Sequence, residues 1–349
     1  MLNLQETILQ IKGLNKEVMQ QTKSYVDGLL KPVGSLGVLE DIVLQLSGIR
    51  GTRNFPSLKK AIVVFAGDHG ICEEGITSAP QGVTALMTEF ISCGKSGVGA
   101  LAKSVGADIT VVDVGVNAEF NNEKILNHKI RKGTNNIAKG PAMSREEAIR
   151  SLEVGIEVGN DLISKGYNIL ATGEMGIGNT TPSSAIFSVI GDVEPSEVVG
   201  VGANLSQDKI IDKIQVIKTA IELNKPDKND GIDILSKVGG LEIGAMAGIM
   251  LAGASNNTPV LVDGYISMAA AAIAVTLNPM TFDYLICSHS SAEKGAKIAE
   301  GLLGFKPYLQ MNMRLGEGSG AVLAFSVIEA AISMIKEMGT FAEAGIDVV

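Results

Sequence analysis

A chain of 349 residues, 46% of them hydrophobic, is long enough to bury a sizeable core without disulfides or metals. Its formal net charge of −9, with no tryptophan and 4% aromatic residues, argues against a nucleic-acid or other polyanion partner, though not against a local phosphate pocket. Cys72, Cys93 and Cys287 have no paired spacing and read as free thiols in a reducing compartment; with no signal-peptide pattern at the N-terminus, a cytoplasmic location is expected.

Apolar residues at helical spacing predict a helix over 4–30. A second helix is predicted after Lys31-Pro32-Val33-Gly34-Ser35, with Ser35 as its N-cap and Leu36, Leu39, Ile42 and Leu46 facing inward. Apolar runs of strand length then occupy 61–66, 109–114, 168–171, 259–262 and 284–287. Helical patterns lie between them, including 81–104, 145–165 and 207–223, and a last helix is predicted over 321–338. Buried strands alternating with long helices imply an α/β fold with a parallel sheet and right-handed crossovers. The longest apolar stretch, 243–254, is broken by glycine and too short to span a bilayer, so no membrane partner is expected. The expected organisation is a large α/β catalytic domain over 56–324, with 1–55 and 325–349 forming a small helical domain.

All five strand-like runs end in polar residues. They are Gly67-Asp68-His69-Gly70, Asp113-Val114-Gly115, Thr172-Gly173-Glu174-Met175-Gly176, Asp263-Gly264 and Ser288-His289-Ser290-Ser291. Ligands of open parallel sheets bind at the carboxyl ends of the strands, so the set describes one pocket. Any single Asp or Ser among them serves equally well as a helix cap.

The third end continues as Gly176-Ile177-Gly178-Asn179-Thr180-Thr181-Pro182, a glycine turn opening a helix, where backbone N–H groups can hold an anion. Ordinary strand-to-helix turns use the same residues. Gly200 to Asn204 and Ser288 to Ser291 are candidates to close around that anion, while Lys213, on pattern alone, reads as a solvated surface lysine. Walker-type and dinucleotide glycine motifs are absent, as is the paired-acid motif of metal-pyrophosphoribosyl donors, which points to a mononucleotide donor needing no metal. Glu317, between Gly316 and Gly318 and preceded by Leu315, suits either a desolvated general base or a charge at a helix start.

In their order and joint presence, these motifs resemble the nicotinate-nucleotide–dimethylbenzimidazole phosphoribosyltransferases. The resemblance covers nearly the whole chain and includes Lys31 to Gly37, Ala66 to Gly70, Gly173 to Thr181, Val262 to Gly264, Ser288 to Glu293 and Arg314 to Gly320. It implies a Rossmann-like, mostly parallel sheet with helices on both faces and a small helical domain from the two termini. It also implies transfer of ribose 5-phosphate from nicotinate mononucleotide to an aromatic cobamide lower-ligand base, with no cofactor. By resemblance, Glu317 is the general base and Glu174 lies beside it. Gly176, Gly178, Asn179, Thr180, Gly202, Lys213, Ser291 and Asp263 form the ribose-phosphate subsite, and Ser78, Leu86, Met175 and Leu315 border the acceptor.

The chain departs from the family pattern at Leu86, where many relatives carry glutamine, and at Ala296, where many carry histidine. The acceptor is therefore open between dimethylbenzimidazole and a phenol. The expected assembly is a homodimer, or a heterodimer with a related subunit as in the family's phenol-activating branch. Competing readings are a metal-dependent hydrolase using Asp68, His69, Asp113 and Asp263, and a non-catalytic nucleotide-binding relative. His69 and His289 lack a third spaced ligand and read as structural, His128 as a solvated loop residue, and Cys72 and Cys287 as small buried apolar groups.

Overall fold

The computed structural model describes residues 3–200 and 207–346. The predicted first helix is two, α1 (Leu4–Gln10) and α2 (Lys16–Asp27). The break begins at Ile11, the C-cap of α1, and contains Gly13; Asn15 caps α2 by accepting the Val18 N–H at 3.0 Å. Next comes α3 (Val38–Arg50), whose N-cap is Gly37 and not the expected Ser35. The correction has a local cause. The Glu40 carboxylate folds back to accept the Leu36 N–H at 2.9 Å and pairs with buried Lys31 at 2.9 Å. That closes the preceding turn without a serine and leaves Leu36 exposed, while Ile42 and Leu46 are buried as predicted.

The chain then alternates β1 (Lys60–Gly67), α4 (Val83–Ser92), α5 (Gly97–Val105), β2 (Asp108–Gly115), β3 (Ile125–Asn127), α6 (Arg145–Ser164), β4 (Ile169–Met175), α7 (Thr180–Gly191) and α8 (Pro195–Val198). It continues with α9 (Gln207–Asn224), α10 (Gly231–Val238), α11 (Leu241–Ser255), β5 (Val260–Val262), α12 (Tyr265–Leu277), β6 (Leu285–Cys287), α13 (Ala296–Leu303) and α14 (Ser319–Glu337). The single helix expected over 81–104 is α4 and α5, because the chain turns at Gly94 and Ser96 caps α5 by accepting the Gly99 N–H. β3 lies inside the segment read as a polar loop; three residues at a sheet edge are too short to show alternation.

All six strands are parallel, in the order β3-β2-β1-β4-β5-β6. From β1 the connections run outward to β2 and β3; β4 then returns to the other side of β1 and they run outward to β5 and β6. The switch point therefore lies between β1 and β4, paired from Lys60↔Ile169 to Ala66↔Met175. Both faces of the sheet are covered, which explains the unbroken apolar strands. Ala61, Val63 and Phe65 of β1 point into one core, shared with α6, α7, α10, α11 and α12. Ile62 and Val64 point into the other, shared with α2, α3, α5 and α14.

The terminal segments join these same cores. Leu4 and Ile11, at α1 and its end, pack on the first face, whereas Val26, Ile42 and Ile328 pack on the second. α14, 19 residues long, is apolar enough to cross a membrane by length and composition, although it is not the longest uninterrupted apolar stretch in the sequence. It lies against α3, α5 and β4, and 61% of its apolar window is buried. On the opposite face α6 and α11 cross in backbone contact: a Cβ on Gly155 would lie 1.9 Å from the Ala245 carbonyl oxygen, so only glycine permits the crossing.

Candidate active site

The strand ends at the switch point open into a cavity of about 320 Å³. Glu174, Glu317, Gly176, Gly178, Asn179, Thr180, Lys213, Asp263, Ser291, Ser78, Met175 and Leu315 all line it. One described position named from the sequence is not brought there. Leu86 is 54% exposed on α4, and the cavity is met instead by Val83 and Met87, one helical turn apart on a different face of that helix. Gly202 lies outside the described residues. The sequence reading missed Glu293, Arg314 and Tyr265, which also line the cavity; Glu293 and Arg314 stand inside motifs that it had singled out.

The glycine turn after β4 is built to face an anion. Asn179 and Thr181 donate their N–H groups back to the carbonyls of Gly176 and Gly178, and the amide of Ile177 goes to the Thr84 hydroxyl at 3.0 Å. That leaves the amides of Gly178 and of Thr180, the first residue of α7, without a partner among the described residues, and both residues line the cavity. Lys213 reaches the same place from α9. It is 2% exposed and not the solvated residue that pattern alone suggested, and its Nζ donates to Thr180 Oγ1 at 2.6 Å. Burial pushes this ammonium down to about 8, countered in part by the Glu293 carboxylate. Expulsion from water is the physical cause.

The two glutamates approach from opposite directions. Glu174, at the end of β4, accepts from the side-chain amide of Asn179 with Oε2 and from the Glu317 N–H at 3.4 Å with Oε1. Burial pushes its carboxyl up to about 8; the Asn179 bond opposes this, and the nearby charges of Asp263 and Glu242 add to it. Glu317 sits on the turn before α14 with φ +62, between two glycines that also have positive φ. A Cβ on Gly316 would lie 2.2 Å from Glu174 Oε1, so glycine is needed for the two acids to converge. Glu317 Oε2 accepts the Val98 N–H at 3.0 Å, at the N-terminus of α5, where the helix dipole meets a carboxylate well.

Asp263 braces this turn. Its oxygens accept the N–H groups of Gly318, Gly320 and Ala321 at 3.2, 2.8 and 3.0 Å, satisfying the otherwise uncapped start of α14. Burial raises its pKa, with His289 opposing. His289 lines the cavity too, its Nδ1 3.0 Å from Ser288 Oγ and 4.0 Å from Asp263 Oδ1, whereas Asp68, Asp113 and His69 have separate partners. Asp68 accepts the Asn117 N–H, and Asp113 accepts from Gly115 and Val116 and pairs with Lys129 at 3.2 Å. His69 Nε2 lies 2.7 Å from Glu242 Oε1, both side chains buried. Burial disfavours the imidazolium there, but the charge and hydrogen bond of Glu242 outweigh it and raise the pKa. Among the described residues no three His, Cys, Asp or Glu side chains gather as a metal-holding group. Cys287 is buried, Cys72 partly so, and neither is disulfide-bonded.

A parallel sheet with a glycine turn, a buried lysine and paired acids at its switch point defines an α/β enzyme that handles a phosphorylated small molecule. The chain belongs to the phosphoribosyltransferase family whose model matches residues 11–346. It is 53% identical to the nicotinate-nucleotide–dimethylbenzimidazole phosphoribosyltransferase of Clostridioides difficile, over 95% of this chain and 96% of that protein. The protein of the same name from Alkaliphilus metalliredigens is 55% identical, over 99% of each chain. A solved structure of a nicotinate-nucleotide–dimethylbenzimidazole phosphoribosyltransferase from Thermus thermophilus superposes with a TM-score of 0.91 at 36% identity, covering 96% of this chain and 100% of that one. The Rossmann-like fold expected from the sequence is thereby established.

Proposed function

We propose that this protein transfers the 5-phosphoribosyl group of nicotinate mononucleotide to dimethylbenzimidazole, releasing nicotinate and an α-ribotide. The observation that carries the reading is the convergence of Glu317 and Glu174 on the one cavity that also holds the Gly176 to Thr180 turn and Lys213. In this reading the donor phosphate sits on the amides of Gly178 and Thr180, with the Lys213 ammonium and Ser291 beside it. The acceptor ring lies against Met87, Met175 and Leu315 near Ser78.

The acceptor nitrogen attacks C1′ while the bond from C1′ to the nicotinate ring nitrogen breaks. The bonding pair moves into that ring and neutralises its positive charge. The acceptor's second nitrogen loses its proton to Glu317, so the new bond forms without charge building up on the base. Glu174, in its acid form at neutral pH, adds no second negative charge beside Glu317 and is placed to donate a hydrogen bond. Holding acceptor and C1′ in line supplies ~7–11 kcal/mol of barrier reduction in favourable cases. Exclusion of water keeps hydrolysis of the donor from competing.

The preference for dimethylbenzimidazole over a phenol is supported by the names of the relatives, and by the position of Leu86 outside the cavity lining, which removes the main sequence argument for a phenol. Assembly as a dimer belongs to the same proposal and is read by light scattering. The test of function is a competition assay with nicotinate mononucleotide, dimethylbenzimidazole and phenol together, in chelator, with products weighed by mass spectrometry. Dimethylbenzimidazole ribotide is expected to dominate. Phenyl ribotide in excess would overturn the acceptor, and no ribotide from folded protein would overturn the transferase.

A further inference from the structure

The Gly67-Asp68-His69-Gly70 segment takes no part in the chemistry above, yet it stands directly behind the glycine turn. Thr84, fully buried on α4, accepts the Ile177 N–H with Oγ1 at 3.0 Å. The hydroxyl also lies near enough to the Asp68 carboxyl to favour its charged form, although Asp68 Oδ1 itself is buried without a hydrogen-bond partner among the described residues. Asp68 is itself fixed: its N–H donates to the Gly115 carbonyl, its carbonyl accepts from Thr134, and its Oδ2 accepts from Asn117. Ile177 is held at its other end as well, its carbonyl accepting from Cys72 Sγ at 3.3 Å. The peptide groups on either side of Ile177 are thus each held by one side chain, Thr84 and Cys72.

We propose that Thr84 is a positioning residue for the donor phosphate: it fixes the Ile177 N–H so that the amides of Gly178 and Thr180 converge on one anion. A threonine hydroxyl suits the task because its oxygen accepts the Ile177 N–H. Valine has the same shape and cannot. In Thr84→Val the Ile177 N–H loses its partner in a dry interior, and the turn relaxes to find a new one. Thr84 touches no substrate, and its effect is transmitted wholly through the turn.

The inference rests on the reading of that turn as the phosphate subsite, and the test separates the two. Nicotinate mononucleotide and nicotinate riboside, which lacks only the phosphate, are titrated calorimetrically into wild type, Thr84→Val and Thr84→Ser. Wild type is expected to favour the mononucleotide. Thr84→Val is expected to lose about tenfold in mononucleotide affinity with riboside affinity unchanged, the size of one lost buried hydrogen bond. Thr84→Ser, which keeps the hydroxyl, is expected to restore affinity to within about twofold. If wild type binds both ligands equally, the subsite reading fails and takes the inference with it. If wild type discriminates and Thr84→Val discriminates as strongly, the positioning role alone is overturned. Equal losses for both ligands, or no rescue by serine, overturn it too, since they would mark a general packing defect.

Discussion

The turn after β4 and the turn before α14 each deliver one glutamate to the same cavity, and they do so by opposite means. Glu174 is held by the sheet: the last turn of a buried strand points it inward, and burial beside Asp263 and Glu242 pushes its carboxyl up to about 8. Glu317 is held by a loop with three successive positive-φ residues, braced by Asp263 and directed at the amide of Val98. Two acids of the same type, within one hydrogen-bond network, therefore sit in different surroundings. The proposed mechanism uses that difference, with Glu174 as the neutral acid and Glu317 as the base.

The contrast breaks first at Glu317. Glu317→Gln should keep nicotinate mononucleotide binding by calorimetry while losing about 10²–10⁴-fold in turnover, the usual share of a general base. Near-normal turnover would give the proton to another group. With Lys213 on the proposed donor side, Lys213→Met should raise the KM for the mononucleotide by about 10–100-fold, as for loss of a buried charged hydrogen bond, with the acceptor KM unchanged. Because burial holds that ammonium down to about 8, mononucleotide affinity in wild type should weaken as pH rises through that value, and the variant should show no such dependence.

Glu174→Gln mimics the neutral acid, so at pH 7 its turnover should stay within about tenfold of wild type. Its clearer signature is in stability. The folded chain binds this proton more tightly than the unfolded chain, whose ordinary carboxyl value is 4.5. The group's stabilising contribution is therefore complete below pH 4.5 and is lost as pH rises toward about 8. Glu174→Gln removes that slope, so its melting temperature should gain on wild type from pH 5 to pH 8, and parallel curves would refute the buried acid. The smallest effect is expected at Leu86: Leu86→Gln, half-exposed and off the cavity, should shift the benzimidazole-to-phenol product ratio by less than about twofold, as surface changes generally do.

Five of the six strands were legible because each is an apolar run closed by a polar or glycine end, as at Ala66-Gly67-Asp68. β3 was not, being three residues at an edge. Helix interiors were legible and their breaks were not: the caps at Asn15 and Ser96 sit inside continuous apolar periodicity, and a single Asn or Ser there looks like any polar surface residue. Glu174, Asp263, Ser291 and the glycine turn were legible as strand-end motifs, whereas Lys213, Ser78 and Leu315 came only from the family resemblance; all the described site residues but Leu86 line one cavity. Leu86 failed because motif proximity carries no information about which face of α4 turns inward. Thr84, two residues before it, had no signal beyond being a threonine on a helix.

The sequence by itself determined the family, the parallel α/β plan and the glycine-flanked acids, since alternation, strand-end chemistry and backbone permissiveness are local properties of the chain. Only the tertiary structure decided which residues lose their water. Lys213, an ordinary lysine on an amphipathic helix, is buried because α9 packs beside α7. Glu174 takes its proton because Asp263 and Glu242, far away in sequence, are brought close to it in space. Desolvation and the field of neighbouring charges are sums over everything nearby, and nearness across the sheet is written in the fold.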